Sequence, residues 1–79
     1  MPIRVNTQPN GTPLGLGWGH WSRRVTNVYE YWCEQRAWWE QPLARDYYQI
    51  EAGEGIVFTL FRDAEGQWFL DRRRGWTAP

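Results

Sequence analysis

The chain contains one cysteine and one histidine, the residue types that most often combine in nucleophilic catalysis outside the serine enzymes. Cys33 lies in a run of strand-forming residues, and His20 sits in a predicted turn earlier in the chain. A Cys–His pair needs contact between the two side chains and a third group that orients the imidazole. Nothing in the spacing predicts this arrangement, so Cys33 is interpreted as a small apolar residue that is buried or half-buried.

The other polar residues form no recognisable catalytic or metal-binding motif. A zinc site needs about four Cys, His or carboxylate ligands, and no such cluster is spaced along the sequence. Asp46 and Glu51 are interpreted as solvated carboxylates on a strand. The segment GLGWG lacks the Lys-Ser/Thr pair and the following helix of a phosphate loop. We therefore expect no enzymatic activity, no metal and no cofactor.

Binding chemistry has more support, because aromatic residues make up 18% of the chain. If the C-terminal half alternates as strands, Tyr47, Phe61 and Phe69 share one outward face. Aromatic side chains on an open sheet can stack nucleic-acid bases. Alternatively, this face is a second small core covered by the Trp38–Trp39 segment or by the N-terminal strand. Trp39 is assigned to the exposed surface, although the sequence leaves open which of the two tryptophans is buried.

All nine basic residues are Arg, and nine acidic residues balance them to a formal net charge of zero. This balance argues against a general nucleic-acid coat, which needs excess positive charge. Two local clusters could still contact a phosphate backbone together, and they consist of Arg23, Arg24, Arg72, Arg73 and Arg74. An equally good interpretation is a solvated sheet edge, where charged side chains prevent pairing with another sheet.

Short alternating runs, separated by Pro and Gly, predict an all-β domain that positions these residues. The predicted strands cover 3–6, 14–18, 22–33, 46–51, 56–62 and 67–71, and the last three form a meander. Five or six antiparallel strands predict a small SH3-like barrel, with an OB-like barrel or a curled sheet as the alternatives. We expect a single domain over 1–72 and a tail containing Arg and Trp over 73–79.

The predicted core follows from the alternation of apolar residues in these strands. A bulge near Asn27 would bring Val25, Val28 and Trp32 to one face, and Leu14, Leu16 and Trp18 alternate in the same way. Segment 35–43 contains a proline and no clean alternation, so it is predicted to be a loop or one helical turn that covers a barrel end. The predicted core residues are Trp18, Val25, Val28, Trp32, Tyr48, Ile50, Phe58, Leu60, Trp68 and Leu70.

Two kinds of apolar segment bear on cellular location, a secretory signal and a membrane span. The opening residues MPIRVNTQ lack the apolar region of a secretory signal. No apolar run approaches the roughly 18 residues of a membrane span. The sequence therefore predicts a cytoplasmic protein with no membrane partner.

One set of residues carries a family resemblance. Trp32 and the pair Trp38–Trp39 are followed by RDYY at 45–48, LFRD at 60–63 and GQWFL at 66–70. As a set over 28–71, this pattern resembles the C-terminal module of ImuB-type proteins, the inactive homologues of Y-family polymerases in bacterial mutagenesis cassettes. It also resembles small standalone proteins of unknown function that consist of this module. The family module tends to close with an aromatic-Asp pair, whereas RRRG stands at 72–75 here.

The resemblance implies a role in bringing proteins together. Inactive polymerase homologues of this kind act as adaptors that gather translesion synthesis proteins at the replication clamp. A chain of this type is therefore expected to be a non-catalytic interaction module with partners in DNA replication or mutagenesis. Two alternatives remain, a single-stranded nucleic-acid-binding barrel and a structural homodimer whose exposed aromatics pair across a two-fold axis.

Overall fold

The computed structural model describes residues 2–38, 41–53 and 55–74. It contains six strands, which are β1 (Pro2–Thr7), β2 (Pro13–Trp18), β3 (Trp21–Trp38), β4 (Gln41–Ala52), β5 (Ile56–Arg62) and β6 (Trp68–Arg74). Each strand pairs antiparallel with the next, and β1 also pairs with β6, so the sheet closes into a barrel. The predicted all-β barrel with a C-terminal meander is confirmed. Because each described strand lies beside its neighbour in the chain, the topology differs from the Greek key of an OB-fold.

Tight turns join the strands where Gly, Asn and Asp were expected to place them. In the β1–β2 turn the amide of Gly11 donates to the carbonyl of Gln8 over 2.8 Å. In the β5–β6 turn the Oδ1 atom of Asp63 accepts from the amides of Glu65 and Gln67. Side-chain and backbone groups in these turns therefore satisfy each other locally.

β2 contains a bulge that changes the predicted face of Leu14. Asn6 lies opposite Gly15, but Thr7 lies opposite Pro13, so Leu14 is an extra residue on β2. The extra residue shifts the alternation by one position. Leu14 is therefore 46% exposed instead of sharing the inward face with Leu16, and Pro13 is fully buried in its place.

β3 contains two bulges where the sequence predicted one. Its register against β4 shifts on both sides of the Asn27–Val28 pair, leaving Thr26 and Tyr29 as extra residues. The second bulge turns Trp32 to the outer face, opposite Tyr47, so its predicted place in the core is wrong. The same shift moves Glu30 away from the inward face that the single-bulge prediction gave it.

The edges of β3 explain a second correction to the core. β3 pairs with β2 only as far as Arg24 and with β4 from Val25 onward. From Thr26 its other edge has no partner strand among the described residues. Val28 lies opposite the buried Ile50, but it is 41% exposed. The prediction that Val28 belongs to the core is therefore wrong.

Residues 35–38 and 41–43 continue the β3–β4 hairpin, so for them the prediction of a loop or helical turn is wrong. Arg36 lies opposite Leu43, Ala37 opposite Pro42 and Trp38 opposite Gln41. Pro42 is tolerated because it is the second residue of β4, next to the strand end. Trp39, which was assigned to the exposed surface, lies outside the described residues.

β6 also extends further than predicted. The predicted strand ended at Asp71, whereas β6 continues to Arg74 with Thr59, Phe58 and Val57 as the partners of its last three residues. Two of the three residues lie beyond the predicted domain limit at 72. The pairing of β5 with β6 has one irregularity, at Asp71, which is an extra residue on β6 between the partners of Thr59 and Leu60. The pairing nevertheless includes the start of the segment interpreted as a tail.

The core lies inside the barrel and is built mainly from β4, β5 and β6. Its buried residues are Leu16, Tyr48, Ile50, Ala52, Phe58, Leu60 and Trp68, with Trp18, Trp21, Val25 and Leu70 among those packed against them. The rings of Trp18 and Trp21 stack at 4.5 Å, and the edge of Phe58 meets Trp18 at 5.9 Å. The sequence reasoning left Leu16 and Ala52 out of the core. In the described part of the chain no helix has the length and hydropathy to span a bilayer.

Candidate functional site

Four aromatic side chains form a continuous row across the outer face of β3, β4, β5 and β6. We call it the aromatic row, and it consists of Trp32, Tyr47, Phe61 and Phe69. Each residue lies directly opposite the next in the sheet register. Centroid distances between neighbouring rings are 5.2, 5.3 and 5.0 Å, and the interplanar angles are 4, 39 and 21°. Cross-strand aromatic pairs of this kind stabilise a sheet while leaving one side of the row toward solvent.

The row lies outside because of the period-two alternation of the strands. Tyr48, Leu60 and Leu70 point into the barrel, so their neighbours in sequence point out. Tyr47 at the centre is only 8% exposed, whereas the other three members are half-buried. The row therefore combines a buried centre with partly accessible ends.

Arg45 covers one flank of the aromatic row. Its guanidinium carbon lies 4.5 Å from the ring centroid of Phe61, and its Nη1 atom donates to the hydroxyl of Tyr47 over 3.4 Å. Its buried Nε atom has no hydrogen-bond partner in the described part of the structure. A guanidinium held flat on aromatic rings retains donors for a carboxylate or carbonyl brought by a ligand.

The predicted basic residues stand on two strands, β3 and β6. Arg23 lies over the Trp21 ring at 5.2 Å, while Arg24 is exposed on β3. Arg72, Arg73 and Arg74 belong to β6, and β4 and β5 lie between that strand and β3. The two Arg clusters therefore stand on strands that are not neighbours in the sheet.

A polar group lies at one end of the barrel, on the inward side of β4. Arg62 donates to the Oδ2 atom of Asp46 over 2.9 Å, and the Tyr31 hydroxyl donates to Oδ1 over 3.0 Å. The hydrogen bond from Arg62 lowers the pKa of the Asp46 carboxyl, with the Tyr31 hydroxyl acting in the same direction. Desolvation and the neighbouring Asp46 raise the pKa of the Cys33 thiol. Cys33 is exposed, so the prediction that it is buried or half-buried is wrong.

We expect acid to remove the stabilisation that Asp46 provides. Its pKa is lower in the folded chain than the unfolded value of about 3.9, so the contribution is complete above that pH and disappears as the pH falls through the folded pKa. Asp46→Asn should lower the unfolding free energy at pH 6 by about 1 kcal/mol or less, because the pair is partly exposed. Denaturant titrations of both proteins between pH 6 and 2.5 should converge at the acid end.

The exposed carboxylate Glu65, in the β5–β6 turn, offers a matched control for that titration. Glu65→Gln also removes one negative charge but has no contact with Arg62 among the described side chains. A pH-independent gap between wild type and Asp46→Asn would contradict the assignment.

Sequence reasoning missed two members of this surface. Trp32 was assigned to the core because one of the β3 bulges was not recognised. Arg45 was not among the residues predicted to form a binding surface. The sequence does contain a signal for Arg45. It is two residues from Tyr47, so the two side chains lie on the same face if the segment is a strand.

Among the described residues no group of three or more His, Cys, Asp or Glu side chains is placed to hold a metal ion. Comparisons of the chain with protein-family models, with curated proteins and with solved structures found no match.

Proposed function

We propose that this chain is a non-catalytic protein-interaction module that binds its partner through the aromatic row. The observation that carries the proposal is the row itself, four rings in register across four strands with Arg45 on one flank. Binding hot spots are enriched in Trp, Tyr and Arg, and they cluster where surrounding contacts exclude water. Trp32 is the half-buried Trp of the row, and it stacks almost parallel to Tyr47.

The packing of the rings supports a protein ligand over a nucleic-acid base. Base stacking requires an open ring face on which a base can lie. Tyr47 and Phe61 each have neighbouring rings on both sides, at 5.2–5.3 Å and 5.0–5.3 Å, and Arg45 covers Phe61 as well. Only the two ends of the row have ring faces free of these contacts. An apolar side chain that packs across ring edges fits this surface better than a run of stacked bases.

The link to DNA repair and translesion mutagenesis rests on the resemblance described above. All four row residues fall within the segments that carry it, namely Trp32, RDYY, LFRD and GQWFL. Arg45 also belongs to these segments, so the resemblance and the candidate surface coincide. The proposed partners are therefore proteins of the replication and mutagenesis machinery, in the bacterial cytoplasm.

The test is direct binding of the purified chain to purified replication clamp and translesion synthesis proteins, measured by isothermal titration calorimetry. Trp32→Ala should weaken binding by about 30-fold or more, the loss typical of a hot-spot residue at about 2 kcal/mol. Leu14→Ala is the matched control, because Leu14 is an exposed apolar residue on β2, away from the row. It should leave the affinity unchanged.

Other outcomes separate the alternatives. Equal affinities for wild type and Trp32→Ala would place the partner elsewhere on the barrel and contradict the proposal. Sedimentation equilibrium of the chain alone addresses the homodimer alternative. Self-association that Trp32→Ala abolishes would identify a second copy of the chain as the occupant of the row.

A further inference from the structure

A trough runs along the outer face of β2, on the side of the barrel opposite β5. Two cross-strand triplets form it, with a glycine in the middle of each. Arg4, Gly17 and Ser22 make one triplet, and Asn6, Gly15 and Arg24 make the other. Because both middle residues lack a side chain, the flanking side chains of β1 and β3 become the walls of a cavity of about 750 Å³.

The walls of the trough carry hydrogen-bond donors and positive charge. The Nη2 atom of Arg4 lies 3.3 Å from where a Cβ of Gly17 would stand, and the Nδ2 atom of Asn6 lies 3.9 Å from the corresponding point at Gly15. Arg4 is held in this position by donating to the carbonyl of Gly19 over 3.0 Å. Its guanidinium carries five N–H groups, so most of its donors remain for a ligand.

The charge of the trough has one sign. Arg4 and Arg24 supply this charge, and none of the described residues that line the trough is acidic. Arg23 lies opposite the inward Leu16 and packs over Trp21, so it lines the trough with its backbone. This local excess occurs in a chain whose overall net charge is zero. An anionic ligand would therefore meet complementary charge here without competition from a neighbouring carboxylate in the lining.

We propose that this trough binds the phosphodiester backbone of a single-stranded nucleic acid. Two strand spacings separate its walls, about 10 Å, which admits one extended chain between them. The glycine floor lets phosphate oxygens approach the donors of Arg4, Asn6 and Ser22. Leu14 is exposed at the side of the trough and offers an apolar surface to a base.

The proposed site does not depend on the proposed protein interaction. The aromatic row crosses β3 to β6, with Phe61 on β5, whereas the trough follows β2. The trough needs only phosphate contacts, so binding should show little sequence preference and strong salt dependence. A protein partner on the row and a nucleic acid in the trough could be held at the same time.

Fluorescence anisotropy with a labelled oligothymidylate of 20 nucleotides tests the site over a series of salt concentrations. We expect binding at low salt that weakens as salt rises. Arg4→Gln and Arg24→Gln should each reduce the slope of log K against log salt by about 0.7, the value for one phosphate contact on a single strand. The double variant should bind about tenfold more weakly at low salt.

Two controls keep the outcome interpretable. Gln67→Glu changes the net charge by the same amount as Arg→Gln, in the exposed β5–β6 turn, and should leave the salt slope unchanged. Trp32→Ala should leave oligonucleotide binding unchanged, because the row is not part of the trough. Circular dichroism melts establish that each variant is folded.

Three results would overturn the inference. The first is no binding of the wild-type chain at low salt. The second is that the double Arg variant keeps the salt slope of the wild type, or that Trp32→Ala no longer binds the oligonucleotide. Loss of binding in Trp32→Ala would move the nucleic acid to the aromatic row. The third is competition by polyglutamate as effective as by unlabelled oligothymidylate at equal charge, which would assign the trough to acidic peptides.

Discussion

Replacing Phe58 by Ala is expected to lower the unfolding free energy by about 3–5 kcal/mol. Phe58 is 1% exposed and is among the largest fully buried side chains of the described core. Its ring contacts Trp18 at 5.9 Å and Trp21 at 5.6 Å, so truncation removes contacts to two indoles at once. Domains are stable by roughly 5–15 kcal/mol, and small ones lie near the lower limit. The variant should therefore retain only about 0–2 kcal/mol of stability and be partly unfolded near physiological temperature.

Urea titration followed by Trp fluorescence measures this effect, with Phe69→Ala as the matched control. Phe69 is also aromatic, but it is half-buried on the outer face, at the end of the aromatic row. Its truncation leaves no closed cavity, so the cost should be clearly smaller than for Phe58. Equal losses in the two variants would contradict the assignment of Phe58 to the centre of the core.

Gly17→Ala should cost about 1–3 kcal/mol, because the added methyl group has no space. A Cβ at this position would lie 2.7 Å from the carbonyl oxygen of Trp21 and 3.0 Å from the Cβ of Ser22. The first of these neighbours is backbone in the paired strand, so relief requires the β2–β3 hairpin to move. The Trp18–Trp21 stack belongs to the same hairpin and would be displaced with it.

Gly15→Ala isolates the steric cause, since both glycines lie on the same strand and the same face. At Gly15 the added atom would be 3.4 Å from the carbonyl oxygen of Arg23, close to an ordinary contact. We expect Gly15→Ala to change the unfolding free energy by less than about 1 kcal/mol. Thermal melts of the two variants compare them directly. If Gly15→Ala were as damaging as Gly17→Ala, backbone strain common to both sites would replace the close contact as the explanation.

The C-terminal half of the barrel could be predicted because its strands alternate without interruption as far as Leu70, and the irregularity of β6 comes only at Asp71. Phe58 and Leu60 were placed inside and Phe61 outside by period two alone, and the turns at 52–55 and 63–66 supplied the boundaries. The alternation of Tyr47 and Tyr48 placed one ring on each face in the same way. Three of the four residues of the aromatic row were therefore identified from the sequence.

The N-terminal half could not be predicted to the same detail, because its strands contain bulges. A bulge adds one residue to the strand and reverses every later face, and Thr26 and Tyr29 carry no sequence signal that marks them as extra. Trp32 was consequently assigned to the wrong face. Gly15 and Gly17 are two residues apart and so share a face of any strand, but the walls of the trough depend on pairing between β1, β2 and β3. The sequence of a single strand does not specify which residues of the neighbouring strands it pairs with.

The irregularity of β3 also has a consequence for how the chain behaves when concentrated. The edge of β3 that has no partner strand among residues 2–38, 41–53 and 55–74 begins at Thr26, in the run TNVYEYWC, which combines high β-propensity with a single charge. Such a segment is a template for fibril growth, and a chain with zero net charge has no long-range repulsion to keep copies apart. The extra residues at Thr26 and Tyr29 twist this edge away from the straight geometry that an incoming strand would need. The two bulges of β3 therefore protect this edge against pairing with another copy of the chain.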